Sequence, residues 1–173
     1  MTADCSCPRS FPPWHEQDAD LGGYRTHVLP IPTLLHMPLG YEAYVHRQQI
    51  SLEQLRLHEI WPGLVLTRTG LLRGSITRLL EDAPSLSRHV GYLSSPFHVR
   101  AHLHHGNVGT IRPVVQAMQA QLLDNGRMPR ELYLCYLTCP HCAEERGGDK
   151  ILLLRHWQSS ALLGKRRARS NTE

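Results

Sequence analysis

The clearest pattern in the chain is an alternation. Phe97, Val99, Ala101 and Leu103 are apolar, and His98, Arg100, His102 and His104 between and beyond them are polar. A period of two is what a strand shows when one sheet face is buried and the other is wet, so it predicts a strand. Ile111, Val114, Val115, Met118 and Leu122 recur at helical spacing instead, with Pro113 tolerable in a first turn and Gly126 placed for a C-terminal cap. They predict a helix over about 110–124. Residues 132–138 and 151–157 read as two strands, separated by a loop that holds Pro140, Gly147 and Gly148.

The N-terminal half is less regular. Residues 24–29, 41–45 and 64–68 read as short strands among Pro30, Pro32 and Pro38. Ser51 and Gln54 fit a capping box, which predicts a helix from Ser51 to the break at Pro62, and residues 71–80 read as a second helix. The order of elements predicts an α+β fold, a single small domain with a mixed or antiparallel sheet and two to three helices. No internal repeat is visible. Residues 1–22, rich in proline and acids without an apolar period, predict a flexible arm; residues 23–163 form the domain and 164–173 a basic tail.

Composition narrows the class. With 173 residues, 41% apolar, the chain has material for one ordinary core. No apolar run approaches the roughly 20 residues that span a bilayer, and the acidic N-terminal stretch lacks a signal-peptide pattern, so a soluble intracellular protein without a membrane partner is expected. The net charge is +4, and Lys165, Arg166, Arg167 and Arg169 against Glu173 place +3 of it in the last ten residues. That run suits a nuclear import receptor, or is simply a solvated tail, and nucleic-acid binding through it would be weak and salt-sensitive.

Five cysteines in a reducing compartment turn attention to metal or redox chemistry. Cys139-x-x-Cys142 has the spacing for two thiolates on one tetrahedral zinc, and it follows a strand as knuckle sites do. The first candidates to complete it are His102 and His104, which share one strand face; Cys135, His98, His141, Cys5 and Cys7 stand in reserve. The competing reading is a solvated histidine face and a plain cysteine loop. Four protein ligands would make any zinc structural, since catalysis needs an open position. A nucleoside-deaminase reading fails for want of a His-x-Glu, a thioredoxin-like one for want of a good helix after the motif, and no other catalytic set stands out. A non-enzymatic protein is expected.

Several blocks resemble the adenovirus early 34-kDa protein family from early region four. These are residues 58–68, containing Trp61 and Pro62 before Val65-Leu66-Thr67-Arg68; Ser94-Ser95-Pro96; residues 125–134 with Met128-Pro129-Arg130-Glu131; and residues 151–157, ending at Trp157. The family's cysteine- and histidine-rich stretch corresponds here to one with His89, His98 and His102 but no cysteine. The resemblance implies an adaptor in the host nucleus, or also the host cytoplasm. Such an adaptor joins elongins and a cullin ubiquitin ligase with a second early viral protein, directs degradation of host antiviral or DNA-damage-response proteins, and aids viral mRNA export. The alternative is a zinc-stabilised nucleic-acid-binding regulatory module. An adaptor would carry an exposed apolar patch.

Overall fold

A computed structural model describes residues 5–163. The basic run at Lys165, Arg166, Arg167 and Arg169 lies outside the described residues. In chain order the elements are β1 (Asp18–Asp20), β2 (Arg25–Leu34), β3 (Met37–Pro38), α1 (Tyr41–Gln54), β4 (Leu66–Arg68), β5 (Arg73–Leu80), β6 (Val90–Tyr92), β7 (His98–His105), α2 (Arg112–Asp124), β8 (Arg127–Tyr136), α3 (Pro140–Glu145) and β9 (Lys150–Ser159). A short 3-10 turn at Val108–Thr110 leads into α2. The fold is α+β: one antiparallel sheet in the order β1-β7-β9-β8-β4-β5-β2-β3, with β6 also pairing β2.

This order contains a repeat that no sequence similarity announced. Strand β2, helix α1 and strands β4 and β5 form one βαββ unit; β7, α2, β8 and β9 form another. Within each unit the first strand pairs with the last, and the last with the one before it. The units meet where β4 lies against β8, with Thr67 opposite Leu134.

Both helices cover the same sheet face. Tyr41, Tyr44 and Val45 of α1 pack on Leu29, Ile31, Val65 and Ile76, while Val114, Val115 and Met118 of α2 meet Leu134, Ile151 and Leu153. The opposite face carries the largest core cluster, including Leu66, Val99, Cys135, Leu152 and Leu154. Burying each such leucine fully contributes on the order of 1.5–3 kcal/mol. Phe11, Trp14 and Leu21 cover that face from the N-terminal segment, and β1 pairs with β7. Residues expected to form an arm are therefore packed on the domain.

Besides β1 in the expected arm and the short helix α3 in the expected loop after Cys139, two further elements differ from the sequence expectation. Residues 41–45 are helical: their alternation is local, and Tyr41, Val45, Gln48 and Leu52 continue at helical spacing, so Ser51 lies near the end of α1 rather than before a helix. Gly40 precedes the helix at φ 63°, a left-handed conformation that glycine adopts without a Cβ penalty. Residues 71–80 supply β5, whose seven residues from Gly74 to Leu80 are all buried. A strand covered on both faces loses its alternation and cannot be told from a buried helix by period alone. Among the described residues, no helix is long and apolar enough to cross a membrane.

Candidate functional site

Cys139 ends the extended chain after β8, and Pro140 opens α3 at a position where a missing amide hydrogen is harmless. The turn brings the Cys139 and Cys142 sulfurs to 3.5 Å, and the Cys139 backbone N–H donates to Cys142 Sγ at 3.2 Å. Cys5 and Cys7 complete the group: one sulfur from each of the four cysteines lies within 4.8 Å of the others. All four are free thiols. The N-terminal segment is seated closely, for a Cβ on Gly63 would come within 2.8 Å of the Ser6 carbonyl oxygen. Arg146 donates to the carbonyl oxygens of Pro8 at 3.0 Å and Leu137 at 3.4 Å, tying the same segment to the β8–α3 connection.

The thiols differ in acidity. The backbone N–H of Cys142 donates to the Cys139 sulfur and lowers that thiol to about 7. Burial raises Cys7 and Cys142, and Cys135, wholly buried in the core, is raised by burial alone. Four sulfurs at this separation, with no histidine or carboxylate among them, form a donor set suited to a tetrahedral, thiolate-preferring ion.

Beside the cysteines runs a cleft of about 650 Å³. Tyr41, Val45 and Gln49 of α1 form one wall, Val65 and Arg78 lie at its floor, and Tyr136 comes from the second βαββ unit. Residues 5–8 and Thr138, Cys139 and Pro140 close one end. The Tyr41 and Tyr136 rings meet edge-on at 5.5 Å across the junction of the two units. The Tyr41 hydroxyl lies 3.0 Å from Thr67 Oγ1, and burial raises its pKa.

Beneath α1 is a polar network that the hydrophobic pattern did not disclose. Arg78, 1% exposed, donates to Glu59 Oε1 at 2.7 Å and, through Nη1 and Nε, to Gln49 and Gln48 at 3.0 Å. Gln48, fully buried, also donates to the backbone carbonyls of His27 and Ile76 and lies 3.1 Å from His27 Nδ1. His27 Nε2 reaches Ser51 Oγ at 3.3 Å. Burial, with the neighbouring charges of His89 and Arg78, lowers His27 to about 4.

The expected histidine ligands are elsewhere. His102 contacts the Glu16 carboxylate and, with His15 and Glu16, forms a separate group, while His104 Nε2 lies 2.8 Å from Thr110 Oγ1. Both lie on β7, between β1 and β9, opposite Leu153 and Ile151 on the sheet face that α2 covers and away from the cysteine turn. The partners of Cys139 and Cys142 are thus Cys5 and Cys7, and the pairing with His102 and His104 is corrected. Glu16, His102 and Arg100 border a second groove of about 480 Å³ along α2. Burial pushes the Glu16 carboxyl up, but the His102 hydrogen bond and the nearby charges of His102 and Arg100 outweigh it and hold the group low.

At the far end of the first unit, Leu34, Leu35, Met37, Leu71 and Leu72 are each more than half exposed. They lie on two adjoining turns, joined where Leu35 N–H donates to the Leu71 carbonyl at 2.9 Å.

Two βαββ units on one sheet, with a cleft at their junction, define a small α+β domain with an internal structural repeat. A family model described as bacterial hydrolase matches residues 1–156, and the chain belongs to that family. Among curated proteins nothing matches. Of solved structures, the C-terminal domain of EcmrR is similar with a TM-score of 0.60 at 8% identity, covering 83% of this chain and 96% of that one. EcmrR in a DNA-bound transcription complex is similar with a TM-score of 0.54 at 9% identity, over 83% of this chain and 57% of that one. At such identities the likeness is one of fold.

Proposed function

We propose that this chain binds a small molecule with apolar surface in the cleft under α1, with a structural zinc ion on the four cysteines at the cleft's end. The cleft carries the reading. Its volume falls in the range of small-molecule sites, and it combines aromatic and aliphatic walls with a few fixed polar groups. Arg78 and Tyr41 are already held by protein partners and shape the site, while Glu42 and His46 add polar groups to its lining. Hydrolysis, the reaction for which the family is named, would then act on the bound molecule.

Replacing Val45 by Trp fills the cleft from α1. The variant is expected to keep its circular dichroism spectrum and to bind the neutral dye Nile red at least ~10-fold more weakly, an amount within the worth of one blocked apolar pocket. Equal binding by both proteins would place the dye outside the cleft and remove the support for this reading. Mass spectrometry of generic ester and amide compounds incubated with the protein tests for cleavage.

The adaptor role implied by the viral resemblance is a second reading, favoured by the exposed patch of Leu34, Leu35, Met37, Leu71 and Leu72. If it holds, tagged protein expressed in host cells recovers elongins and a cullin, and the Leu35→Asp/Leu71→Asp variant loses them. Recovery unchanged by those substitutions would remove the patch from the argument, and failure to recover either partner would leave the role without support.

A further inference from the structure

The four cysteines come from opposite ends of the chain, and this is what gives their site a consequence for the cleft. Cys139 and Cys142 stand on the connection that follows β8, while Cys5 and Cys7 lie on the segment that passes over Gly63. That segment and that connection together are the cleft's closed end. Among the described residues, thiol contacts, close packing on Gly63 and the Arg146 bond to the Pro8 carbonyl hold residues 5–8 there. Neither half-site could hold zinc tightly alone, since each offers two thiolates of the four that a closed tetrahedral sphere requires.

We infer that Cys5, Cys7, Cys139 and Cys142 bind one zinc ion that clasps residues 5–8 to the β8–α3 turn, so that metal occupancy sets how tightly the cleft holds its ligand. The effect on the ligand rests on the cleft reading above; the metal clasp does not. On binding, each thiol gives its proton to solvent and its sulfur lone pair to the ion, with no change of oxidation state. Four thiolates around Zn²⁺ carry a net charge of −2, and the Arg146 guanidinium beside the segment offsets part of it. The Cys139 N–H and Cys142 N–H, already directed at sulfur, would stabilise the thiolates further. The sphere is closed, so the ion's role is structural.

The test uses the full chain, purified under reductant from zinc-supplemented cells. Elemental analysis is expected to give about one zinc per chain, and cobalt exchanged into the site should show the strong charge-transfer absorption of tetrahedral thiolate coordination. Cys5→Ser and Cys7→Ser should each weaken zinc binding at least ~10-fold, whereas His102→Gln and His104→Gln should leave it unchanged. Hydrogen exchange is expected to show residues 5–8 losing protection on chelation while β8 and β9 keep theirs. Nile red affinity should fall at least ~10-fold on chelation and return with added zinc. Absence of zinc, or zinc binding indifferent to Cys5 and Cys7, would overturn the site. Zinc binding that leaves both the protection of residues 5–8 and the dye affinity unchanged would overturn the clasp. Dye bound by neither form would count against the cleft reading, and the exchange result would still decide the clasp.

Discussion

Replacing Glu59 by Ala is expected to destabilise the fold by about 3–5 kcal/mol, a large share of the roughly 5–15 kcal/mol that holds a domain folded. The reason is what remains behind. Arg78 is 1% exposed, and among the described residues its 2.7 Å partner is the only carboxylate that pairs with it, so the substitution strands a guanidinium charge away from water. The glutamines around it offer dipoles, which do not replace a negative charge. Urea unfolding followed by circular dichroism reads the loss. Replacing both members, as Glu59→Leu with Arg78→Met, should recover most of it, since an apolar pair removes the desolvation penalty together with the attraction. A single substitution costing under about 1 kcal/mol would mean that water reaches the pair.

The second large effect is a dependence of stability on pH set by His27. In the folded chain its pKa is lowered to about 4 against an ordinary value of 6.5, so the folded state holds the neutral ring. Between these values the unfolded chain binds the extra proton, and stability falls as pH falls. The contribution is fully present above about 6.5, is lost progressively on acidification to about 4, and levels off below; its size is about 3 kcal/mol. Glu16, Glu131 and Asp20, whose pKa values are held low, add a further loss only in the acidic range below their ordinary values. Urea midpoints measured from pH 6 to 4.5, below the range in which the Cys139 thiol titrates, therefore report chiefly the histidine. A His27→Asn variant should show a nearly flat profile across that window whatever its starting stability, and an unchanged slope would assign the proton uptake to another group.

The sheet of the second unit was legible because its residues behave as isolated strands do. In β7 the residues facing α2 are polar and those facing the main core are apolar, so the period of two survives. Strand β9 is nearly all buried, yet its flanking glycines and its length marked it out. In the first unit the same reasoning fails at Arg78 and Gln48. Each is a polar residue inside, each interrupts an apolar period, and each is satisfied by a partner at least 19 residues away in sequence. Three of the four blocks that carry the viral resemblance overlap β4, β8 and β9, and Ser94-Ser95-Pro96 lies just before β7. For the metal group, the Cys139-x-x-Cys142 spacing was visible, and the Cys5-x-Cys7 pair was the matching signal. What sequence could not supply was the path of residues 5–8 across Gly63, which joins two pairs more than 130 residues apart.

The repeated βαββ unit has a further meaning, for the chain carries its own control. The same backbone plan occurs twice, and under α2 its buried residues Met118, Leu134, Ile151 and Leu153 are apolar, with the half-buried His102, His104 and Arg155 beside them. Under α1 the plan is filled in part with His27, Gln48, Glu59 and Arg78. Topology therefore did not demand those four residues. They are what one copy does that its twin does not, and they stand beside the cleft and the cysteine cluster, so chemistry distinctive of this protein should be sought in the first copy and on its border with the second.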